Sequence, residues 1–418
     1  MPFSFSTALS GLRASSSSLG VTGNNIANAN TTAFKSGSIA FEDVFANSLG
    51  VRLNGGGGSI QIGSGVAVAA IPTNFGQGNL NDSTSSTSAA IQGTGFFVTK
   101  NLAGAALYTR AGDFSINKDG FLVTPNGNQV QGYAAVNGSI PAGAALSAVK
   151  IPIGDVISPV VTSEMTVKMN LNSADAAGSV FHSPVQVFDS KGTSHTLDMT
   201  LTKQANGSYL ITGTLDGNAA TIDTGAQAPN LVFDSNGLLT APTTLNIIPD
   251  QTQLNGATLP TVKVNLFQTN PDGSAGPGNI TNFATTSAVA SIGQDGFAAG
   301  SLTGLSVSPN HDGVVFAVFS NGQVRPIAQL ALATFNSQDG LNHVGGNSYG
   351  ETPASGQPSI GVPGSGGRGE IVGSALEQSN VDIASEFTDL IVAQRSFQAN
   401  SRVITTISQT LQELIQNV

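Results

Sequence analysis

The sequence predicts a multidomain α+β protein whose N- and C-terminal α-helices pair as a coiled coil and enclose nested β-rich middle domains. Two observations predict the helical ends. Apolar or small residues recur at gaps of three and four over residues 1–32, and apolar residues recur at every seventh position from Leu376. The third observation is the interior, where short apolar runs are broken by Gly, Asn-Gly and Asp-Gly turns.

The N-terminal helix is predicted from the spacing of its apolar and small residues. The gaps along this line are 3, 4, 3, 4 and 3 residues, which is the seam spacing of a coiled coil. The residues on the line are Leu9, Leu12, Ser16, Leu19, Gly23 and Ile26.

Side-chain amides are concentrated where this helix should end, at Asn24, Asn25, Asn28 and Asn30. Asparagine is a poor helix former and a good capping or turn residue. Two compatible interpretations remain open. The amides cap their own helix, or Asn24 and Asn25 bind a neighbouring copy while Asn28 and Asn30 satisfy backbone groups at the turn.

The C-terminal helix is predicted from a heptad line that is apolar throughout: Leu376, Ile383, Leu390, Phe397, Ile404, Leu411 and Val418. Its companion line is mostly polar: Asn380, Phe387, Gln394, Ser401, Ser408 and Ile415. An amphipathic helix packed on its own domain is the alternative. The line spans more than 40 residues, which is longer than most helices of globular proteins and favours pairing.

The interior is predicted to be β-structure because its turns have hairpin chemistry. In "FSINKDGFLVT" (114–124), Gly120 supplies the positive-φ position between two apolar runs, and Asn206-Gly207 does the same further along. The predicted domains are a terminal helical domain (1–32 and 371–418), a linker or extended region (33–70), an inner β-rich domain (71–150 and 290–370) and an outer inserted β domain (151–289).

Composition excludes several classes of function. Lys and Arg total 15, the net charge is −10, and no basic cluster is interleaved with aromatic residues, so nucleic-acid binding is not expected. No apolar stretch approaches about 18 residues, so membrane insertion is not expected. The N-terminus has no basic segment followed by an apolar one, so no cleaved signal peptide is expected. Cysteine is absent, which excludes disulfides and Cys-based metal sites.

Residues that could carry chemistry are scattered. The four histidines lack the spacing of metal ligands, and "HDG" at 311–313 is better explained as a turn before a strand than as an acid–base pair. A glycosidase needs two carboxylates that flank the scissile bond, and a recognisable sequence pattern would be expected around them. The available acids lie in predicted turns and strands without such a pattern: Asp189, Asp198, Asp216 and Asp234. We therefore expect no enzyme activity and no catalytic, cofactor-binding or metal-binding residues.

Four stretches together resemble the rod and hook family of the bacterial flagellum. Their order and spacing and both chain ends agree with that family. They are "ALSGLRASSSSLGVTGNNIANANTTAFK" (8–35), "FGQGNLNDSTSSTSAAIQGTGFFV" (75–98), "YTRAGDFSINKDGFLVTPNGNQVQGY" (108–133) and "SALEQSNVDIASEFTDLIVAQRSFQANSRVITT" (374–406).

The resemblance implies a structural subunit that polymerises outside the cell into a hollow curved tube lined by the paired terminal helices. Such a tube is a flexible, torque-transmitting joint between rod and filament and a conduit for exported proteins. The inserted segment at about 155–285 favours a hook subunit over a distal rod-type axial protein. A secreted β-rich adhesin or surface-layer protein is the alternative of another class; it predicts a cleavable signal and no terminal heptads.

The resemblance also implies the partners. These are further copies of the chain in a helical homopolymer, the hook cap, the distal rod, the hook–filament junction proteins and the flagellar type III export machinery. Export would leave the chain uncleaved, and no cofactor is implied. The residues expected to act in assembly are Leu9, Leu12, Leu19, Asn24, Asn25, Ile26, Asn28, Asn30, Leu376, Ile383, Phe387, Leu390, Phe397, Ile404, Leu411 and Val418.

Overall fold

A computed structural model describes residues 2–45, 63–136, 138–225, 228–269 and 275–416. It contains a helix at each end of the chain and a β-rich middle, as the sequence predicts. The helices are α1 (Pro2–Ala27) and α2 (Ile383–Gln416), and one turn of 3₁₀-helix spans Gln251–Gln253.

The chain divides into two compact units. The first comprises Met1–Ile153, Gly304–Val318 and Val324–Val418, and the second comprises Gly154–Thr303 and Phe319–Gln323. The predicted inserted domain ended at residue 289, whereas the second unit continues to Thr303.

The strands are short and regular, because turn residues interrupt the apolar runs every few positions. Before residue 154 they are β1 (Ala40–Phe45), β2 (Gly63–Ala70), β3 (Leu80–Asp82), β4 (Ala89–Gln92), β5 (Phe96–Lys100), β6 (Ala106–Thr109), β7 (Ser115–Ile116), β8 (Leu122–Val123), β9 (Gln129–Ala134) and β10 (Leu146–Ala148). Those that follow, up to residue 307, are β11 (Val156–Ile157), β12 (Glu164–Asn170), β13 (Val180–Phe188), β14 (Ser194–Lys203), β15 (Tyr209–Leu215), β16 (Asn218–Asp223), β17 (Asn230–Phe233), β18 (Leu239–Ala241), β19 (Leu245–Ile248), β20 (Val262–Asn265), β21 (Phe267–Thr269), β22 (Ala275–Gly278), β23 (Ile280–Thr281), β24 (Ala288–Gln294) and β25 (Gly300–Val307). The last group is β26 (Val314–Phe319), β27 (Val324–Leu330), β28 (Leu332–Thr334), β29 (Asn342–Gly345), β30 (Ser348–Gly350), β31 (Ser359–Gly361), β32 (Glu370–Gly373) and β33 (Ala375–Glu377).

In the first unit, the main sheet runs β26-β27-β9-β5-β6-β30-β29. Strands that are far apart in sequence are therefore neighbours, and the chain before the second unit pairs with the chain after it. An aromatic cluster fills this core: Phe96 makes an edge contact with Phe75 at 5.5 Å between ring centroids, and Tyr108 packs on Phe335 at 4.8 Å.

In the second unit, the main sheet runs β13-β14-β15-β16-β19-β20-β12. Strands β12 to β15 bury alternate residues, as expected of strands with one face on a core. Leu197, Leu231 and Ile247 are fully buried there. The predicted turns are confirmed, since Gly207 between β14 and β15 has φ 84° and Gly120 in the first unit has φ 83°.

The prediction for the start of the C-terminal helix is wrong at two residues, because Leu376 and Asn380 both precede the helix. Leu376 lies on β33, where it is paired with Asn81 of β3, and not on the helix. Helix α2 begins at Ile383 because the Asp382 carboxylate caps it, accepting the N–H groups of Ala384 at 2.9 Å and Ser385 at 3.2 Å. The seven-residue repeat of apolar residues is the same before and after Ile383, so the pattern alone does not indicate where the helix begins.

Candidate functional site

The two terminal helices lie side by side and run in opposite directions. Gly11 of α1 faces Asn400 of α2 so closely that a methyl group on Gly11 would lie 2.9 Å from the Asn400 amide nitrogen. The side-chain amide of Asn25, fourteen residues after Gly11 in α1, donates to the Glu386 carboxylate at 2.9 Å. Glu386 lies fourteen residues before Asn400 in α2. The two contacts fix the direction and show that small residues allow close approach.

The buried face of α1 is displaced by one residue from the predicted line. Its well-buried positions carry short side chains: Ala8, Ala14, Ser15, Thr22 and Asn25. The predicted leucines Leu9, Leu12 and Leu19, together with Ile26, are half-buried beside this face. Apolar residues at gaps of three and four predict that one face of the helix is buried, but the line of positions one residue earlier has the same spacing. The line with the smaller side chains is buried because it lets the two helices approach closely.

The buried face of α2 agrees with half of the predicted seam. Leu390, Phe397 and Ile404 are half-buried, and the positions that alternate with them are Glu386, Ala393, Asn400 and Ile407. The predicted second line lies one residue later, at Phe387 and its heptad equivalents. Ile383, Phe387 and Leu411 are exposed on a single copy, and Val418 lies outside the described residues.

The asparagines after α1 have different environments. Asn25 is 2% exposed, and its amide makes a two-way contact with the Gly37 backbone, donating at 2.8 Å and accepting at 3.0 Å. The same amide nitrogen donates to Glu386. In a single copy the hydrogen-bonding groups of Asn25 are therefore occupied within the chain, and a contact of Asn25 with a neighbouring copy stays a prediction.

Asn28 acts at the helix end as predicted, since its side chain donates to the Asn24 carbonyl at 2.9 Å. The Asn28 side-chain oxygen also accepts the Thr31 hydroxyl at 3.1 Å. Asn24 and Asn30 are exposed. Of the four amides, these two are presented to the surroundings of a single copy.

A buried ionic cluster, defined as Lys35, Arg110 and Glu377, joins both helices to the β-structure of the first unit. The Lys35 ammonium lies 2.6 Å from one Glu377 oxygen, and both side chains are fully buried. The Arg110 guanidinium lies 3.5 Å from the other oxygen. Lys35 also donates to the Gly76 carbonyl at 2.8 Å, and Glu377 accepts the Gly78 N–H at 2.9 Å.

The cluster combines three segments that are remote in sequence: Lys35 after α1, Arg110 directly after β6, and Glu377 at the end of β33, ahead of α2. Burial lowers the pKa of Lys35, and the hydrogen bond and charge of Glu377 oppose that shift. Burial likewise lowers the pKa of Arg110 against the same carboxylate. None of these three residues was identified from the sequence alone. They could have been noticed because only 10% of the chain is charged, and each of the three lies in one of the four stretches that resemble the rod and hook family.

One face of α2 leaves large apolar side chains uncovered on a single copy. This apolar stripe, defined as Ile383, Phe387 and Ile391, is 47%, 51% and 50% exposed. The members are four residues apart and therefore lie on one side of the helix. Adjacent exposed apolar side chains of this size indicate an interaction surface.

A groove of about 550 Å³ lies between the two helices and the hairpin of β1 and β2. Small α1 residues form one wall, and Glu386, Asp389 and Val392 contribute to the other. Burial raises the pKa of Glu386; Asn25 opposes the shift by hydrogen bonding, and the Asp389 charge adds to it. An open groove thus lies beside the contact between the two helices.

Within the described ranges, no group of three His, Asp or Glu side chains is arranged to hold a metal ion. Neither helix, over its described residues, is long and apolar enough to span a membrane. His311 lies in the turn that precedes β26, with φ 60°, as the turn interpretation of "HDG" predicts.

Comparisons with known families match both ends and the middle of the chain. "Flagella basal body rod protein" matches residues 5–35, and "Flagellar hook protein FlgE/F/G D1 domain" matches residues 90–169. "Flagellar basal body protein FlaE D2 domain" matches residues 160–297, and "Flagellar basal body rod FlgEFG protein C-terminal" matches residues 372–417.

Whole-length relatives are similar to this chain. It is 33% identical to flagellar hook protein FlgE of Salmonella typhimurium, over 99% of each chain. It is 33% identical to the protein of the same name from Borreliella burgdorferi, over 98% of each, and 32% identical to that of Escherichia coli K12, over 98% of this chain and 99% of the relative.

A crystal structure of Helicobacter pylori flagellar hook protein FlgE2 has the same fold over 71% of this chain and 100% of its own, with a TM-score of 0.50 and 16% identity. The rod-type and adhesin alternatives are not favoured by these relatives, which are structural proteins of the hook. The chain belongs to the flagellar hook protein family and is a structural subunit of the bacterial flagellar hook.

Proposed function

We propose that copies of this chain assemble into a hollow curved tube that transmits torque as a flexible joint between rod and filament and conducts exported proteins. The observation that carries the proposal is the apolar stripe of α2, which a single copy leaves exposed to water. Full burial of a large apolar side chain contributes roughly 1.5–3 kcal/mol, so covering the exposed half of each stripe residue contributes about half of that. Neighbouring copies that bury the stripe therefore supply a driving force for assembly.

The two terminal helices pair as an antiparallel coiled coil in this proposal. Buried and half-buried positions of α2 recur at gaps of three and four residues from Glu386 to Ile407, and Ala8, Ser15 and Thr22 of α1 recur at every seventh residue, which supports it. The α1 face consists of Ala, Ser, Thr and Asn, which bury little apolar area. We therefore expect lower helix content in free subunits than in the polymer, measured by circular dichroism; equal content would contradict this part of the proposal.

The assembly proposal is tested by replacing Phe387 and Ile391 together with Ser. Because both side chains are half exposed, the variant should fold as a monomer but fail to form tubes, as judged by sedimentation and negative-stain microscopy. The matched control is Leu102→Ser, which removes a 93% exposed apolar side chain outside the helices and should leave assembly intact. Unchanged assembly of the double variant would refute the role of the stripe.

The channel is lined, in this proposal, by exposed neutral side chains of α2 such as Gln398, Gln409 and Gln416. Uncharged amides offer an unfolded passenger few ion pairs, so it can slide past them. Replacing these three residues with Lys should slow growth of the structures beyond the hook. Growth at the original rate would count against a channel-facing position.

The proposed partners follow from the same assembly: the hook cap during growth, the distal rod below, the hook–filament junction proteins above, and the flagellar type III export machinery. The proposed location is outside the cell, after export without cleavage of a signal peptide. Mass spectrometry of subunits from isolated hooks tests the last point, since loss of an N-terminal segment longer than the initiator methionine would contradict it.

A further inference from the structure

A histidine of the second unit lies between two carboxylates. We define the His195 cluster as His195, Asp189 and Asp216. The imidazole Nδ1 lies 2.7 Å from Asp216, its Nε2 lies 3.2 Å from Asp189, and the side chain is 11% exposed. Neither the assembly surfaces nor the family comparisons account for this arrangement.

The geometry determines the protonation state that satisfies the cluster. A neutral imidazole has one N–H donor and one nitrogen lone pair, so it can serve only one of two flanking carboxylates. Its lone pair would face the other carboxylate. Only the doubly protonated imidazolium donates to both acids, and its charge offsets one of theirs.

Each carboxylate also organises a turn. The second oxygen of Asp189 accepts the N–H groups of Lys191 and Thr193, both at 2.8 Å, which closes the turn between β13 and β14. Asp216 accepts the Thr196 N–H at 2.8 Å from the turn that follows β15. Asp216 (φ 47°) and Gly217 (φ 84°) form the two-residue turn between β15 and β16, in which both residues take the left-handed conformation that Asp-Gly favours.

We propose that the His195 cluster is a pH-sensitive clamp, in which the doubly protonated imidazole ties the 189–193 turn to the 216–217 turn and its deprotonation in alkaline surroundings releases the Asp216 turn. The proposal concerns the second unit alone and does not depend on how copies assemble. It gives the hook subunit a point at which external pH changes local order.

The charged groups around the imidazole support the direction of the response. Burial by itself would lower the pKa of His195, but the hydrogen bonds and charges of Asp216 and Asp189 raise it above its ordinary value. The pKa values of both carboxyl groups are held below their usual range despite burial, chiefly by the backbone N–H of Thr193 on Asp189 and that of Thr196 on Asp216, with His195 adding to each. Lys191, in the same turn, directs its ammonium to the Asn255 carbonyl at 2.9 Å.

The pH window follows from these signs. A raised His pKa contributes stability that is complete below the unfolded value of about 6.5 and is lost as pH rises through the folded value. The lowered pKa values of Asp189 and Asp216 contribute stability that is complete above the unfolded pKa of 3.8. This stability is lost as the pH falls through the pKa values of the folded state. The clamp is therefore fully engaged between these limits and weakens on the alkaline side.

The first test is an NMR titration of the full-length chain, whose four histidines give few imidazole signals. The His195 signal is identified by its absence in His195→Gln. We expect it to titrate above pH 6.5 and to move to lower pH in Asp216→Asn, where the amide can donate to a neutral imidazole. The matched control is His182→Gln, because His182 is an exposed histidine whose single carboxylate contact among the described residues is Asp198; this change should leave the His195 signal unmoved.

The second test measures local opening by hydrogen exchange of peptides that cover 189–217, with rates corrected for the intrinsic effect of pH. Protection in the original chain should fall severalfold between pH 6 and pH 9, and the fall should be smaller in Asp216→Asn. A His195 titration at the same pH in both chains, or equal loss of protection in both, would overturn the clamp.

Discussion

The second unit buries Met, Val, Leu and Ile side chains on alternate positions of β12 to β15, whereas the well-buried positions of α1 are Ala, Ser, Thr and Asn. A fully buried Leu contributes roughly 1.5–3 kcal/mol, and an Ala contributes much less. The second unit thus carries its own driving force for folding. The helices keep large apolar residues such as Phe387 on the outside, where only another molecule can cover them.

Folding and assembly of the subunit can therefore depend on different regions of the chain. The β-units form cores from residues within the same copy, while α2 leaves apolar surface exposed, and in the assembly proposed above neighbouring copies would cover it. The buried ionic cluster connects the two kinds of structure, because Lys35 follows α1 and Glu377 precedes α2.

The largest expected effect comes from breaking this connection with Glu377→Gln. The change leaves the Lys35 and Arg110 cations buried without their common anion, which should cost about 3–5 kcal/mol of the first unit's unfolding free energy. Urea unfolding followed by hydrogen exchange measures the loss. The control is Glu370→Gln, an exposed acid that should change stability by less than about 0.5 kcal/mol; a similar small effect at Glu377 would contradict the anchoring role.

The next effect compares equal truncations in the two regions. Leu197→Ala in the second unit creates a cavity at a fully buried position and should cost about 2–5 kcal/mol. Leu390→Ala in α2 removes a half-buried side chain and should cost less than half as much in the free subunit. Local unfolding free energies from hydrogen exchange measure both. Equal losses would break the comparison, because the helix pair would then have a core as strong as that of the second unit.

The smallest effect is a pH response of the helix pair. Burial raises the pKa of Glu386, so the stability associated with its protonated form is complete below the ordinary value of 4.5 and is lost as pH rises through the folded value. Glu386→Gln keeps the acceptor for Asn25 and should abolish this dependence. The helical circular dichroism signal between pH 4 and pH 7 measures it, and an unaltered profile in the variant would assign the response to another group.

Local chemistry explains what could be predicted. The Gly120 and Gly207 turns, the alternation of the strands and the helical character of 383–416 each depend on residues close in sequence, so they could be identified before the fold was known. The attachment of the helices could not, because Lys35, Arg110 and Glu377 are combined only by the pairing of remote segments. The heptad spacing likewise predicts a helix at Leu376, but this residue lies on β33 because its segment pairs with β3.

The sequence by itself determined that both ends are helices, that the middle is β-structure with tight turns, and that its four family-like stretches identify the flagellar rod and hook family. These depend on residue spacing and turn chemistry, which act over a few residues. Only the tertiary structure decided which helix face is buried, that Asn25 is occupied within its own chain, and which charges are combined in the interior. These features depend on contacts between segments that are hundreds of residues apart in the sequence. Such contacts are decided by how closely the two backbones can approach each other in the folded chain.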